Sequence, residues 1–127
     1  MPLKINMYDK IIPKDSKVEI VVDSGIAAGT EFSSTQEPDE GYKFCISYFT
    51  LSVPEEVEAN VIVATEKGET VLLSENVTNT TVTIDASDFG GLDYLNSFTL
   101  YVKVVSDTTA QRTVTLKYGG KQVIPYI

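Results

Sequence analysis

Histidine and tryptophan are absent from this sequence and Cys45 is its one cysteine. Any chemistry must therefore come from carboxylates, hydroxyls, amides and ammonium groups. Without His there is no general base for a Ser-His-Asp triad, no activator for the Cys45 thiol and no imidazole ligand for zinc. Cys45 stands in an apolar, strand-like segment, which would raise its pKa and suits a small core residue. Carboxylates are plentiful, with eighteen Asp and Glu. Glu55, Glu56 and Glu58, with Glu37, Asp39 and Glu40, could supply the two acids that glycoside hydrolysis needs at a set separation. Tyr42, Tyr48, Tyr94, Tyr101 and Tyr118 could supply the aromatic platform that a sugar-binding module presents. Most of them fall on periodic positions that read as core or sheet face, whereas Tyr101 shares an outward face with Thr99 and Lys103. In 85–96, read as a calcium loop, Asp85, Ser87, Gly90 and Asp93 take the first, third, sixth and ninth places. Phe89 and Asn96 stand where the fifth ligand and the bidentate twelfth belong, which excludes an EF-hand. A weaker oxygen site from Asp85, Asp88 and Asp93 competes with simple capping of a helical turn. Asn76 and Asn79 each begin a glycosylation sequon, and each is equally an Asn at a turn before a Thr-rich strand.

Asp23, Ser24 and Gly25 follow directly on the apolar strand 18–22. This form resembles the aspartic-protease signature, in which an apolar strand delivers Asp-Thr/Ser-Gly to a turn. In the single-domain, retropepsin-like dimers of that family two such Asp share a proton, because like charges so close cannot both ionise. Gly91, Leu92, Asp93, Tyr94 and Leu95 look like the Gly-x-Asp/Asn-x-Leu segment of the same family. The resemblance implies a dimeric protease with Asp23 as its catalyst. It covers eight residues in two pieces. The apolar pair expected before Gly91 is missing, because Gly90 precedes it, and two further strands follow Leu95. Asp-Ser-Gly is also an ordinary turn after a strand.

The elements that would position these residues are strands. Apolar and polar residues alternate with period two in several segments, which puts one face on a core and the other in water. Val18, Ile20 and Val22 form one such face, Val82 and Ile84 a second, Leu100, Val102 and Val104 a third, and Val114, Leu116 and Tyr118 a fourth. Tyr42, Phe44, Ile46 and Tyr48 lie on even positions while Phe49, Leu51 and Val53 lie on odd ones, which predicts a bulge near Ser47 to Phe49. Further strands are expected at 3–8, 59–66, 69–75 and 121–126, with a tight turn through Lys67 and Gly68. The acidic stretch 31–41 reads as a long surface loop, and one short helical turn is expected near 86–91, capped by Ser87. About eight or nine strands without βαβ alternation predict an all-β, antiparallel β-sandwich spanning 1–127 as a single domain. A jelly roll is preferred and an immunoglobulin-like arrangement is also compatible.

At 127 residues and a net charge of −8, the chain is long enough for one domain with a substantial core. So acidic a chain, with Arg112 its one arginine, is not expected to bind nucleic acid, which recruits clustered Lys and Arg. No apolar stretch is long enough to span a bilayer, no signal peptide is visible, and neither membrane insertion nor a cofactor is expected. Charge is divided unevenly: residues 1–18 carry +2, residues 108–127 carry +3 and the middle carries −13. Terminal strands often lie together, which would set a basic patch of Lys4, Arg112, Lys117 and Lys121 on an acidic body. Such a surface suits head-to-tail association into a homo-oligomer or with other protein subunits. The expected function is that of a non-catalytic structural or interaction protein, such as a component of a virion, surface layer or appendage. The alternatives are a glycan-binding module and the Asp23 protease.

Overall fold

The computed structural model describes residues 11–85 and 92–124. Eight strands run in the order β1 (Ile11–Val22), β2 (Glu31–Gln36), β3 (Lys43–Val53), β4 (Ala59–Thr65), β5 (Thr70–Val77), β6 (Thr80–Asp85), β7 (Phe98–Val104) and β8 (Arg112–Val123). They form two antiparallel four-stranded sheets, β1-β8-β3-β6 and β2-β7-β4-β5. In every sheet the first strand of the chain meets the last available one: β1 pairs β8, β2 pairs β7, β3 pairs β6 and β4 pairs β5. The chain is thus one long hairpin, with the turn Glu66–Glu69 at its tip, wound over on itself. That winding is the jelly roll, and it settles the topology that periodicity left open. No helix occurs among the described residues; the turn expected near 86–91 and the strand expected at 3–8 lie outside them.

The inner faces are those the alternation assigns. Val18, Ile20 and Val22 of β1, Leu100, Val102 and Val104 of β7, and Val114, Leu116 and Tyr118 of β8 are buried. The two sheets meet through a ring cluster. Phe98 of β7 stands 5.5 Å from Phe44, 5.1 Å from Phe49 and 4.8 Å from Tyr118, all three on the facing sheet.

The bulge expected near Ser47 is present: the register of β3 on β8 shifts between Ile46 and Tyr48. The extra residue, Ser47, lets Phe44 and Ile46 on one side and Phe49, Leu51 and Val53 on the other all face the core. Across from it lies Gly120 at φ 148°, where an added Cβ would fall 2.9 Å from the Ser47 amide nitrogen and closer still to the Cys45 carbonyl.

Two expectations need correction. Residues 31–36 are not loop but strand β2, held by pairing with β7 from Glu31↔Lys103 to Gln36↔Phe98. Its alternation is carried by Phe32, Ser34 and Gln36, which are too polar to stand out as a core face. Residues 121–123 do not begin a separate strand; β8 runs on through Gly119 and Gly120, where the bulge of β3 leaves no room for a side chain at Gly120 and the Tyr48 ring and Asp15 carboxylate crowd Gly119.

Candidate functional site

The registers fix which chemical groups share a surface. β1 and β8 are paired along their whole length, from Ile11↔Val123 to Val22↔Arg112, so the two cation-bearing ends of the described chain do lie side by side. On the outer face of their sheet Lys17, Lys117, Thr50 and Thr83 stand abreast, and the next row holds Glu19, Thr115, Ser52 and Thr81. Lys17, Lys117 and the hydroxyls of Thr50, Ser52, Thr81 and Thr115 line a shallow cleft of about 320 Å³. Lys17 is 3.7 Å from Glu19, and both are half exposed, so the pair contributes little stability. Lys121 lies on the same face beyond a row formed by Asp15, Gly119, Tyr48 and Asp85. Arg112 is drawn away to the end of the sandwich, where its guanidinium donates to Glu56. Lys4 lies outside the described residues. Of the expected basic patch the structure therefore keeps Lys117 and Lys121 on one face, four residues of β8 apart with the row of Asp15 and Asp85 between them, sets Lys17 beside Lys117, and places Arg112 apart.

The end where Arg112 sits is built from four connections, residues 23–30, 54–58, 78–79 and 105–111, tied to one another by backbone hydrogen bonds. Gly25 N donates to Thr108 O at 2.9 Å, Thr108 N to Ile26 O at 2.9 Å, Val105 N to Glu58 O at 2.9 Å and Asn79 N to Pro54 O at 3.2 Å. Asp23, Glu55, Glu56, Glu58 and Asp107 all belong to these connections. Four of the five acids act as ties: Asp23 Oδ1 accepts from Gln111 and Glu58 Oε1 from Ser106, Asp107 Oδ1 accepts from the Ala28 amide, and Glu56 pairs with Arg112. Asp23 is thus an exposed turn residue, with Gly25 in the left-handed region at φ 78°. Asn76 and Asn79 adopt φ 52° and 47°, the turn conformation that Asn tolerates best after Gly.

The remaining candidates disperse. Glu37, Asp39 and Glu40 sit at the opposite end from Glu55, Glu56 and Glu58, separated by the eleven residues of β3, or about 35 Å. No carboxylate pair for glycoside hydrolysis forms between them. Asp39 instead anchors its loop, accepting from Gln122 Nε2 at 3.2 Å while its amide donates to Gln122 Oε1 at 2.8 Å. Asp88 lies outside the described residues, and among those described no group of three acids, Cys or His could hold a metal ion. No described helix is long and apolar enough to cross a membrane. Tyr118 is core, whereas Tyr101 and Tyr94 are exposed.

Cys45 is buried although it faces outward, because residues 92–95 lie along that stretch of β3: Phe44 and Leu95 exchange backbone hydrogen bonds of 2.9 Å. Burial pushes its thiol pKa up, the Tyr94 backbone opposes this, and the Asp93 carboxylate adds to it. Burial raises the Tyr118 phenol in the same sense, against a hydrogen bond with Ser16. Both groups hold their protons more firmly folded than unfolded. Stability is accordingly expected to be level below about pH 8 and to fall as the pH rises past the ordinary thiol range. Urea midpoints measured from neutral to alkaline pH check this, and Cys45→Ser should flatten the first part of the decline; a midpoint that rises with pH would contradict it.

The lysine pair is the feature that the sequence did not reveal. Lys17 and Lys117 are both visible as strand residues, but that they face each other depends on the β1·β8 register. No protein-family model matches the chain, and no curated protein matches it by sequence.

Proposed function

We propose that the protein is a non-catalytic structural or interaction protein that works by self-assembly, each copy setting its lysine pair against the acidic four-connection end of the next. The observation that supports this reading is the register Lys17↔Lys117. Like charges directly opposite on neighbouring strands repel; Glu19, 3.7 Å from Lys17, offsets part of that charge, and the cleft itself is lined by the two lysines and by hydroxyls. An incoming carboxylate relieves that repulsion. A second copy offers one, because Asp23, Glu55, Glu56, Glu58 and Asp107 crowd one end, where Arg112 pairs with Glu56. Such a contact joins two different patches, so it either closes into a ring or continues as an open array. Jelly rolls recur in capsid shells, and by that analogy of architecture the role extends to a virion, surface-layer or appendage subunit.

Light scattering on a sizing column tests the reading. At low salt the particle mass is expected to exceed that of one 13.9 kDa chain and to fall as salt is added, since exposed charges are screened within about 10 Å at 0.1 M. Lys17→Glu with Lys117→Glu should lower the mass to that of one chain, and adding Glu55→Lys with Glu58→Lys should restore it. A single-chain mass at every salt and protein concentration would overturn the proposal.

A further inference from the structure

The other outer face of the sandwich carries a cleft of different chemistry. On the sheet β2-β7-β4-β5, Ser33, Tyr101, Ile62 and Leu73 stand abreast across all four strands. An outward row on a half-buried sheet is ordinarily polar, yet three of these four side chains are apolar or aromatic. Tyr101 is 46% and Leu73 59% exposed. The adjoining row holds Glu31, Lys103 and Asn60. Together Glu31, Asn60, Ile62, Tyr101 and Lys103 line a cleft of about 350 Å³, at the lower end of the range for small-molecule sites.

We propose that this cleft binds a neutral saccharide, with the Tyr101 ring as platform and Asn60, Glu31 and Lys103 as its hydroxyl partners. A sugar ring has an apolar C–H face and a rim of hydroxyls that both donate and accept. The cleft matches this: an exposed aromatic ring is flanked by a carboxylate that accepts and by an ammonium and an amide NH₂ that donate. Asn60 is already oriented, because its Oδ1 accepts from the Asn76 amide at 2.8 Å, which turns its NH₂ into the available donor. Glu31 and Lys103 face each other in register, so the cleft carries no net charge, which favours an uncharged ligand over a phosphate or an acidic peptide. Tyr101 and Ile62 stand on β7 and β4, the two inner strands of the sheet, so the platform is preformed. Ile62 and Leu73 extend it sideways for a second ring. This site is independent of the lysine pair, which lies on the other sheet.

The test is an amide-shift titration of the isotope-labelled protein with maltotriose, cellotriose, chitotriose and mannotriose, each in turn to its solubility limit. At least one is expected to give saturable shifts confined to Glu31, Asn60, Ile62, Tyr101 and Lys103. Tyr101→Ala should weaken that binding about three- to tenfold, the worth of one aromatic contact. Tyr101→Phe should leave it unchanged, and both variants should keep the wild-type thermal midpoint. Absence of saturable shifts with all four sugars would overturn the proposal, as would a dissociation constant in Tyr101→Ala equal to that of the wild type. A particle mass that drops in Tyr101→Ala without any sugar-dependent shift would overturn it too, and would assign the row to protein contact.

Discussion

Replacing Phe98 by Ala is expected to destabilise the protein by about 3–5 kcal/mol, the cost of emptying a large aromatic site in a packed core. Phe98 is fully buried and is the one ring of β7 that meets Phe44, Phe49 and Tyr118 of the opposite sheet. Its removal would leave those three rings facing a void across the sheet interface. Their approach to it is edge-on or tilted, at interplanar angles of 48°, 73° and 81°, so each loses a favourable ring contact as well as buried area. Against a typical total of about 5–15 kcal/mol, this is a large fraction of the stability. A urea titration reads it as a lowered midpoint at unchanged slope; a loss below about 1 kcal/mol would mean that the two sheets are not held through this cluster.

Gly120→Ala is expected to be the most damaging single-methyl change, at about 2–4 kcal/mol from overpacking and backbone strain together. The new Cβ would meet the Cys45 carbonyl and the Ser47 amide. Both are backbone atoms of the bulge and cannot rotate aside. Two other glycines provide the comparison. At Gly25, φ is 78° and the space is open, so Ala there costs only the left-handed conformation, about 1–2 kcal/mol. At Gly119 the obstacles are the Tyr48 ring and the Asp15 carboxylate, which are side chains able to shift. The expected order of urea midpoints is therefore wild type, then Gly25→Ala, then Gly120→Ala; equal midpoints for the two variants would contradict the bulge contact as the cause.

The bulge also marks how far the sequence could be read. The parity change between Ile46 and Phe49 is a direct record of an extra residue in β3, because a side-chain period of two cannot otherwise put both sets in the core. The central strands β4 and β7 were legible for a similar reason: a core face of β-branched and apolar residues leaves little ambiguity. β2 was not, since Phe32 is its one large apolar residue and the strand exists through its partner β7. The same limit separates the legible from the illegible parts of the surfaces. Tyr101 could be placed outward from the alternation of β7 alone. Its companions Ile62 and Leu73, the facing of Lys17 on Lys117 and the capture of Arg112 by Glu56 all depend on which strands become neighbours. Counting charges along the chain located the cations, and only the fold could show which of them were already neutralised.

The pairing of β1 with β8 has a mechanical consequence. The described chain enters at Ile11 and leaves just past Val123, and these two residues are partners at the same end of the sheet. A force pulling the two ends apart therefore loads the rungs between β1 and β8 one after another, beginning with that outermost pair, instead of sharing the load among all of them as sliding one strand along the other would. Tension applied between Ile11 and Val123 peels the sandwich open like a zip, whereas tension applied across the sheet faces, where the lysine pair and the Tyr101 row lie, does not act on that outermost rung first.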